Sequence, residues 1–178
     1  MTSPPYAFLI HEIIEQTLSV KTGAKIYSRF EDLCDGDVTP ERVLTLSTDD
    51  IKSIGTSVVK ATYILGITQA IHDGLLNLGS LSSMNDADVI STLTKQRGIG
   101  KWTAKMYLMF VLDRQDILPI EDVAFLQGYG WAYNTSDYSP HAVRKNVKNG
   151  NPIHQLQRDI LYRALDGGYT KEEFHVCK

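Results

Sequence analysis

Leu93-Thr94-Lys95-Gln96-Arg97-Gly98-Ile99-Gly100-Lys101-Trp102-Thr103-Ala104 is the stretch on which the reading of this chain turns. Upstream, Asn85-Asp86 caps an apolar run that reaches Thr94. Downstream, apolar residues at helical spacing continue from about Lys101 to Leu112. The spacing therefore predicts a helical hairpin over about residues 93–112. Its two glycines permit a tight turn and a close approach of backbone to a ligand. A helix that starts beside Gly98 and Gly100 presents backbone N–H groups and the positive end of its dipole, a ready site for phosphate. Residues 95–105 add Lys95, Arg97, Lys101 and Lys105 and contain no acidic residue. A plain helix-to-helix turn is the competing reading, and the four basic residues weaken it.

Outward from the hairpin the signals remain helical. Pro4-Pro5 precedes a stripe of Phe8, Leu9, Ile10, Ile13, Ile14 and Leu18. Further helices are expected from about Thr22 to Leu33, from Thr39-Pro40 through Leu46, from Thr48-Asp49-Asp50 to Gly55, and from Ser57 to about Asp73. Ser139-Pro140 and Asn151-Pro152 each pair a cap with a first-turn proline, and Gly167-Gly168 closes a last helix over 153–165. No run alternates apolar and polar residues as a half-buried strand would. The expectation is a single all-α domain over 1–178, with about nine or ten helices.

Composition narrows the function. The chain has 178 residues, 43% hydrophobic, and a formal net charge of -3. Residues 1–90 carry 12 acidic and 6 basic residues, and residues 91–178 carry 9 acidic and 12 basic. The acidic surplus thus lies in the half without the hairpin, and one basic face is compatible with the overall sign, ordinary surface scatter being the alternative. Two cysteines, Cys34 and Cys177, are too few for a four-thiolate zinc site or an iron–sulfur cluster. The five histidines have no metal-ligand spacing, and Gly-rich nucleotide loops and hydrolase signatures are absent. With no signal peptide and no long apolar run, the expectation is a cytoplasmic protein, nuclear in a eukaryote, with no membrane association.

RGIGKWTAKMYLMF followed by DILPIEDVAF resembles the signature of the helix-hairpin-helix (HhH-GPD) DNA glycosylase superfamily, and most nearly its 3-methyladenine DNA glycosylase II branch. The segment Ile13–Lys21, and Gly55-Thr56-Ser57 with Lys60-Ala61, are similar to two further family motifs in the same order. The resemblance spans roughly residues 8–131. It implies an active-site cleft beside the hairpin and a catalytic aspartate at Asp122, with Glu121 a weaker candidate. Pro119 and the helix that follows supply the local support, and an ordinary helix N-cap is the alternative for Asp122.

The family's bifunctional members carry a Schiff-base lysine where this chain has Trp102, so the resemblance implies a monofunctional enzyme. Lys101, one position earlier, points about 100° away on a helix. A cationic alkylated purine leaves without a general acid, which explains how a single carboxylate suffices. Trp102 and Met106 fall at base-pocket positions of the family, with Tyr107 and Trp131 as further aromatic walls; core packing is the alternative for each aromatic, for Tyr107 and Trp131 more than for Trp102. Arg97, Gly98, Gly100, Lys101, Thr103 and Lys105 are the expected DNA-binding residues. Thr17 or Leu18 is the expected wedge that fills the duplex after base flipping, Leu18 being the more apolar.

The resemblance also implies a sodium or potassium ion beneath the hairpin, which would map to the backbone carbonyls of Thr94, Gln96 and Ile99; no other cofactor is expected. Arg97 replaces the proline usual before the first hairpin glycine. Asn151-Pro152-Ile153-His154 lacks the arginine of the corresponding family segment. Arg144, Lys145 and Lys148 are a solvated face or a minor contact to DNA backbone. The expected partner is damaged double-stranded DNA, bound by a monomer through few phosphates and hence with shallow salt dependence. Two alternatives stay open: a non-catalytic helix-hairpin-helix DNA-binding module, and a glycosylase for deaminated bases such as hypoxanthine or uracil.

Overall fold

Short helical segments, most of them opened by a small polar residue, build this chain. The computed structural model describes residues 4–115 and 117–148, and every regular element among them is helical. Nine α-helices are described: α1 Pro5–Glu15, α2 Val20–Leu33, α3 Pro40–Val43, α4 Thr48–Ser53, α5 Val58–His72, α6 Asp86–Thr94, α7 Lys101–Phe110, α8 Val123–Ala132 and α9 Pro140–Lys148. A 3-10 helix, Leu78–Ser83, lies between α5 and α6.

The caps explain most boundaries. Ser19, Ser57 and Asn85 accept from the backbone N–H groups of Thr22, Lys60 and Asp88, and Ser47 with Asp50 closes a reciprocal capping box. Because Ser19 is the cap, α2 begins at Val20, two residues before the position the apolar pattern suggests. α7 ends at Phe110, two residues earlier than expected, where Val111 N and Leu112 N both bond Tyr107 O. The 3-10 helix was not legible in the serine-rich Leu78–Ser83 segment, which buries only Leu81 and so carries no amphipathic stripe.

The chain divides into two compact units, Met1–Asp113 and Arg114–Lys178, although no linker composition marks the boundary. In the first unit, α1 packs against α2, α5 and α7, and α6 packs against α7. Leu9, Ile10, Ile13 and Ile14 of α1 are fully buried, as are Phe30, Ile51, Ile64, Leu81, Val89 and Leu93 around them. Each such side chain stabilises the fold by roughly 1.5–3 kcal/mol relative to exposure. In the second unit α8 packs against α9, and Asn146 Nδ2 donates to the buried Tyr129 hydroxyl at 2.8 Å. Gly130 lies so close under the Tyr138 ring that a Cβ would stand 2.5 Å from it.

The expected Asn151-Pro152 cap, the helix over 153–165 and Gly167-Gly168 lie outside the described residues. Among those described, no helix is long and apolar enough to cross a membrane.

Candidate DNA interface and active site

The hairpin is built as the glycines predict, but the two glycines serve different ends. Gly98 has φ +93, and a Cβ there would lie 2.6 Å from Tyr63 Cδ2. Both the backbone conformation and the Tyr63 ring of α5 therefore demand glycine. Gly100 has φ -89 and ψ 174, a conformation open to any residue, and no protein atom lies within 4 Å of where its Cβ would be. The space beside Gly100 is open to an external group. Gly100 is also the N-cap of α7, and it contributes no side-chain acceptor to the first turn. α2 to α6, α8 and α9 are all capped by a side chain; α1, which opens on Pro4-Pro5, and α7 are not. The intrahelical ladder of α7 starts at Ala104 N to Gly100 O, 3.0 Å. Lys95, Arg97 and Lys101 are exposed around this terminus and Lys105 is half-buried.

Thr103, expected to touch DNA, is only 2% exposed, so its side chain belongs to the core of the first unit. The helical phase explains this: Thr103 shares a face with Tyr107, four residues on, and that face meets α1. Tyr107 is fully buried, with its ring edge-on to Phe8 of α1 at 6.1 Å. As placed it is a core residue, the alternative left open by the sequence. Its hydroxyl is buried without a hydrogen-bond partner among the described residues, and burial pushes its pKa up to about 12. Met106 is 2% exposed, while Trp102, one turn earlier, is half-buried.

The loop between α1 and α2 joins the hairpin in a way the sequence did not reveal. Gln16 Nε2 donates to Gly98 O at 2.8 Å. Lys60 Nζ, from α5, donates to Ile14 O at 2.8 Å and to Gln16 O at 2.6 Å, closing the C-terminal end of α1. Burial lowers the Lys60 pKa. Thr17 follows with φ +62, and Thr17 and Leu18 are exposed at the tip.

In the second unit, Asp122 is the N-cap of α8. Its Oδ1 accepts from Phe125 N at 3.1 Å, and its own N–H donates to Pro119 O at 2.9 Å. The ordinary capping geometry is thus present, and it fixes the direction of the carboxylate through the buried Pro119 turn. Asp122 is half-buried and Glu121 exposed. Trp131 lies on α8 and is half-buried.

The carbonyls of Thr94, Gln96 and Ile99 come from the hairpin turn itself. Gln96 O accepts from Ile99 N at 3.1 Å, which closes the turn and leaves a second lone pair on that oxygen. A set of neutral carbonyl oxygens suits a hard monovalent cation, and the residues fit one.

A family model described as "HhH-GPD superfamily base excision DNA repair protein" matches residues 10–152. The chain belongs to this superfamily. Its ten described helices, without a strand among the described residues, also match solved members. A DNA-3-methyladenine glycosidase from Bacillus halodurans superposes with a TM-score of 0.79 at 32% identity, covering 97% of this chain and 80% of that one. A Schizosaccharomyces pombe 3-methyladenine DNA glycosylase, solved in complex with abasic DNA, gives 0.77 at 26% identity over 94% of this chain and 84% of that one. The curated DNA-3-methyladenine glycosylase 1 of the same yeast is 29% identical over 132 residues, 72% of this chain and 58% of that protein. The chain spans about half the length of the curated relatives it matches.

Proposed function

We propose that this HhH-GPD chain is a monofunctional DNA glycosylase that hydrolyses the N-glycosidic bond of alkylated purines, 3-methyladenine among them, in duplex DNA. The observation that carries this reading is the likeness to the yeast 3-methyladenine glycosylase solved on abasic DNA, over 94% of this chain.

The uncapped start of α7, the open space at Gly100 and the basic residues Lys95, Arg97 and Lys101 support phosphate binding; Lys105 joins them from the next turn. The carbonyls of Thr94, Gln96 and Ile99 would hold a sodium or potassium ion, whose charge would neutralise the oxygen dipoles converging at the turn. Leu18, with Thr17, fills the duplex gap when the base is flipped. Trp102 and Trp131 stack on the cationic base, with Met106 behind Trp102 on the same helix face. A cationic purine departs unprotonated, so the demand on the protein falls on the sugar. Asp122 stabilises the oxocarbenium-like sugar and orients the attacking water, its carboxylate already directed by the cap to Phe125 N. Trp102 stands where a Schiff-base lysine would be needed, so the strand is not nicked. The partner is damaged double-stranded DNA, bound by a monomer.

The test is base release from a methylated duplex, read by chemical cleavage of the abasic product. The wild type is expected to release base and Asp122→Asn to lose at least about 100-fold in rate, the usual scale for removing a transition-state electrostatic contact. Tight duplex binding without release would identify a non-catalytic module. Preferential release from hypoxanthine- or uracil-containing duplex would reassign the substrate. Borohydride trapping of the wild type on DNA would refute the monofunctional assignment.

A further inference from the structure

We infer that Gln16 and Lys60 are positioning residues that fasten the Thr17–Leu18 tip to the hairpin, so that the strand-gripping turn and the gap-filling tip act as one rigid element. This rests on the glycosylase reading. Three hydrogen bonds define the element. Lys60 Nζ reaches across from α5 to Ile14 O and Gln16 O, and Gln16 Nε2 reaches on to Gly98 O. The partners lie 46, 44 and 82 residues apart, so the connection exists only in the folded unit.

The tip itself is strained. Thr17 is β-branched yet sits at φ +62, a region that side chains branched at Cβ rarely occupy. Such a conformation persists only where its surroundings over-determine it. Here the preceding carbonyl, Gln16 O, is held by Lys60 Nζ and by the Thr17 hydroxyl, which donates at 2.6 Å. The neighbouring amide of Gln16 is anchored on Gly98 O. Gly98 itself packs closely against the Tyr63 ring. The Lys60 ammonium thus closes the end of α1 and, through Gln16 O, holds the residue from which the tip departs.

The mechanical consequence is specific. Gripping a phosphate needs only the start of α7. Filling the vacated space also requires the tip at a fixed offset from that grip. Cutting the tether should therefore spare binding to intact duplex and weaken binding to DNA in which the base is already missing.

The experiment measures Kd at one salt concentration for an intact duplex and for the same duplex carrying a tetrahydrofuran abasic analogue. The proteins are the wild type, Gln16→Ala, Lys60→Met and the double variant, with thermal melting of each. The preference for the abasic duplex is expected to fall about tenfold in each single variant, the scale on which a coupling residue acts. The double variant should lose little more than either single one, because both cut one tether. Intact-duplex affinity should hold within about threefold, in keeping with its phosphate origin. An unchanged preference in Gln16→Ala and Lys60→Met overturns the inference, as does parallel loss of both affinities or a wild type without preference. Base release by the wild type, measured alongside, judges the glycosylase reading separately.

Discussion

Alanine at Gly98 and alanine at Gly100 should have opposite consequences, although the two glycines are separated by one residue. At Gly98 the new methyl group would sit 2.6–2.8 Å from the Tyr63 ring and Cβ atoms, and the backbone would be held at φ +93. The unfavourable backbone costs about 1–3 kcal/mol and displacing a packed ring a further 1–3 kcal/mol. The sum, about 2–6 kcal/mol, is a large part of the 5–15 kcal/mol that holds a typical domain together. At Gly100 the backbone is already extended and the methyl group meets no protein atom within 4 Å. Reduced freedom of the unfolded chain gains about 0.4–1 kcal/mol. The poorer N-cap loses a similar amount, so stability should change by less than about 0.5 kcal/mol. The same methyl group would occupy the space proposed for a phosphate. Losing one charge-assisted hydrogen bond of about 1.5–3 kcal/mol should weaken duplex binding roughly 10- to 100-fold. Urea denaturation reads the first quantity, and fluorescence anisotropy with a labelled duplex at fixed salt reads the second. A Gly100→Ala protein that binds as wild type would refute phosphate binding at this turn. A Gly98→Ala protein within about 1 kcal/mol of wild type would refute the argument from Tyr63.

Two further outcomes follow from buried polar groups in the first unit. Tyr107→Phe removes a hydroxyl that has no hydrogen-bond partner among the described residues. It should leave stability unchanged or raise it by up to about 1 kcal/mol, and a loss larger than that in urea denaturation would mean the hydroxyl is satisfied in solution. His11 sits between Glu12 and Glu15 of α1, at 3.6 and 3.4 Å. Burial pushes its pKa down, but the hydrogen bond to Glu12 and the charges of Glu15, Glu12 and Glu31 outweigh it and leave the value above the ordinary 6.5. A folded-state value above the unfolded one means stability that is full below about pH 6.5 and is lost as pH rises through the folded value. Burial raises the Glu15 pKa against the pull of His11, and the histidine is 35% exposed, so the gain is under about 1 kcal/mol. Thermal melting between pH 5.5 and 8.5 should show His11→Gln losing at most about 2–4 °C relative to wild type at the acid end and converging with it at the alkaline end. The opposite pH trend would contradict the sign.

Much of the fold is written in short-range chemistry. Ser47, Ser57, Asn85 and Asp122 each bond a backbone N–H three residues ahead, a contact that depends on nothing outside its own helix turn. The α1 stripe of Leu9, Ile10, Ile13 and Ile14 specifies its buried face by spacing alone. For the same reason the hairpin was legible, down to the basic residues around α7. Asp122 was placed correctly at a helix start, although whether its carboxylate does more than cap is a chemical question that local pattern leaves open.

The tertiary structure decided everything that depends on residues far apart in the chain. It separated the two hairpin glycines into one held by Tyr63 and one facing open space, a distinction invisible in Gly-Ile-Gly because the ring arrives from α5. It turned Thr103 and Tyr107 inward, since their exposure depends on where α1 crosses α7 and not on their own helix. It brought Lys60 and Gln16 to carbonyls 44 to 82 residues away. The sequence by itself determined most of the α-helices among the described residues, to within about two residues at their ends, and which turn carries the positive charge, because caps, periodicity and charge act over one or two turns. Only the packed helices determined which groups share a site, because closing loops of many tens of residues is specified by the whole core at once and by no single motif.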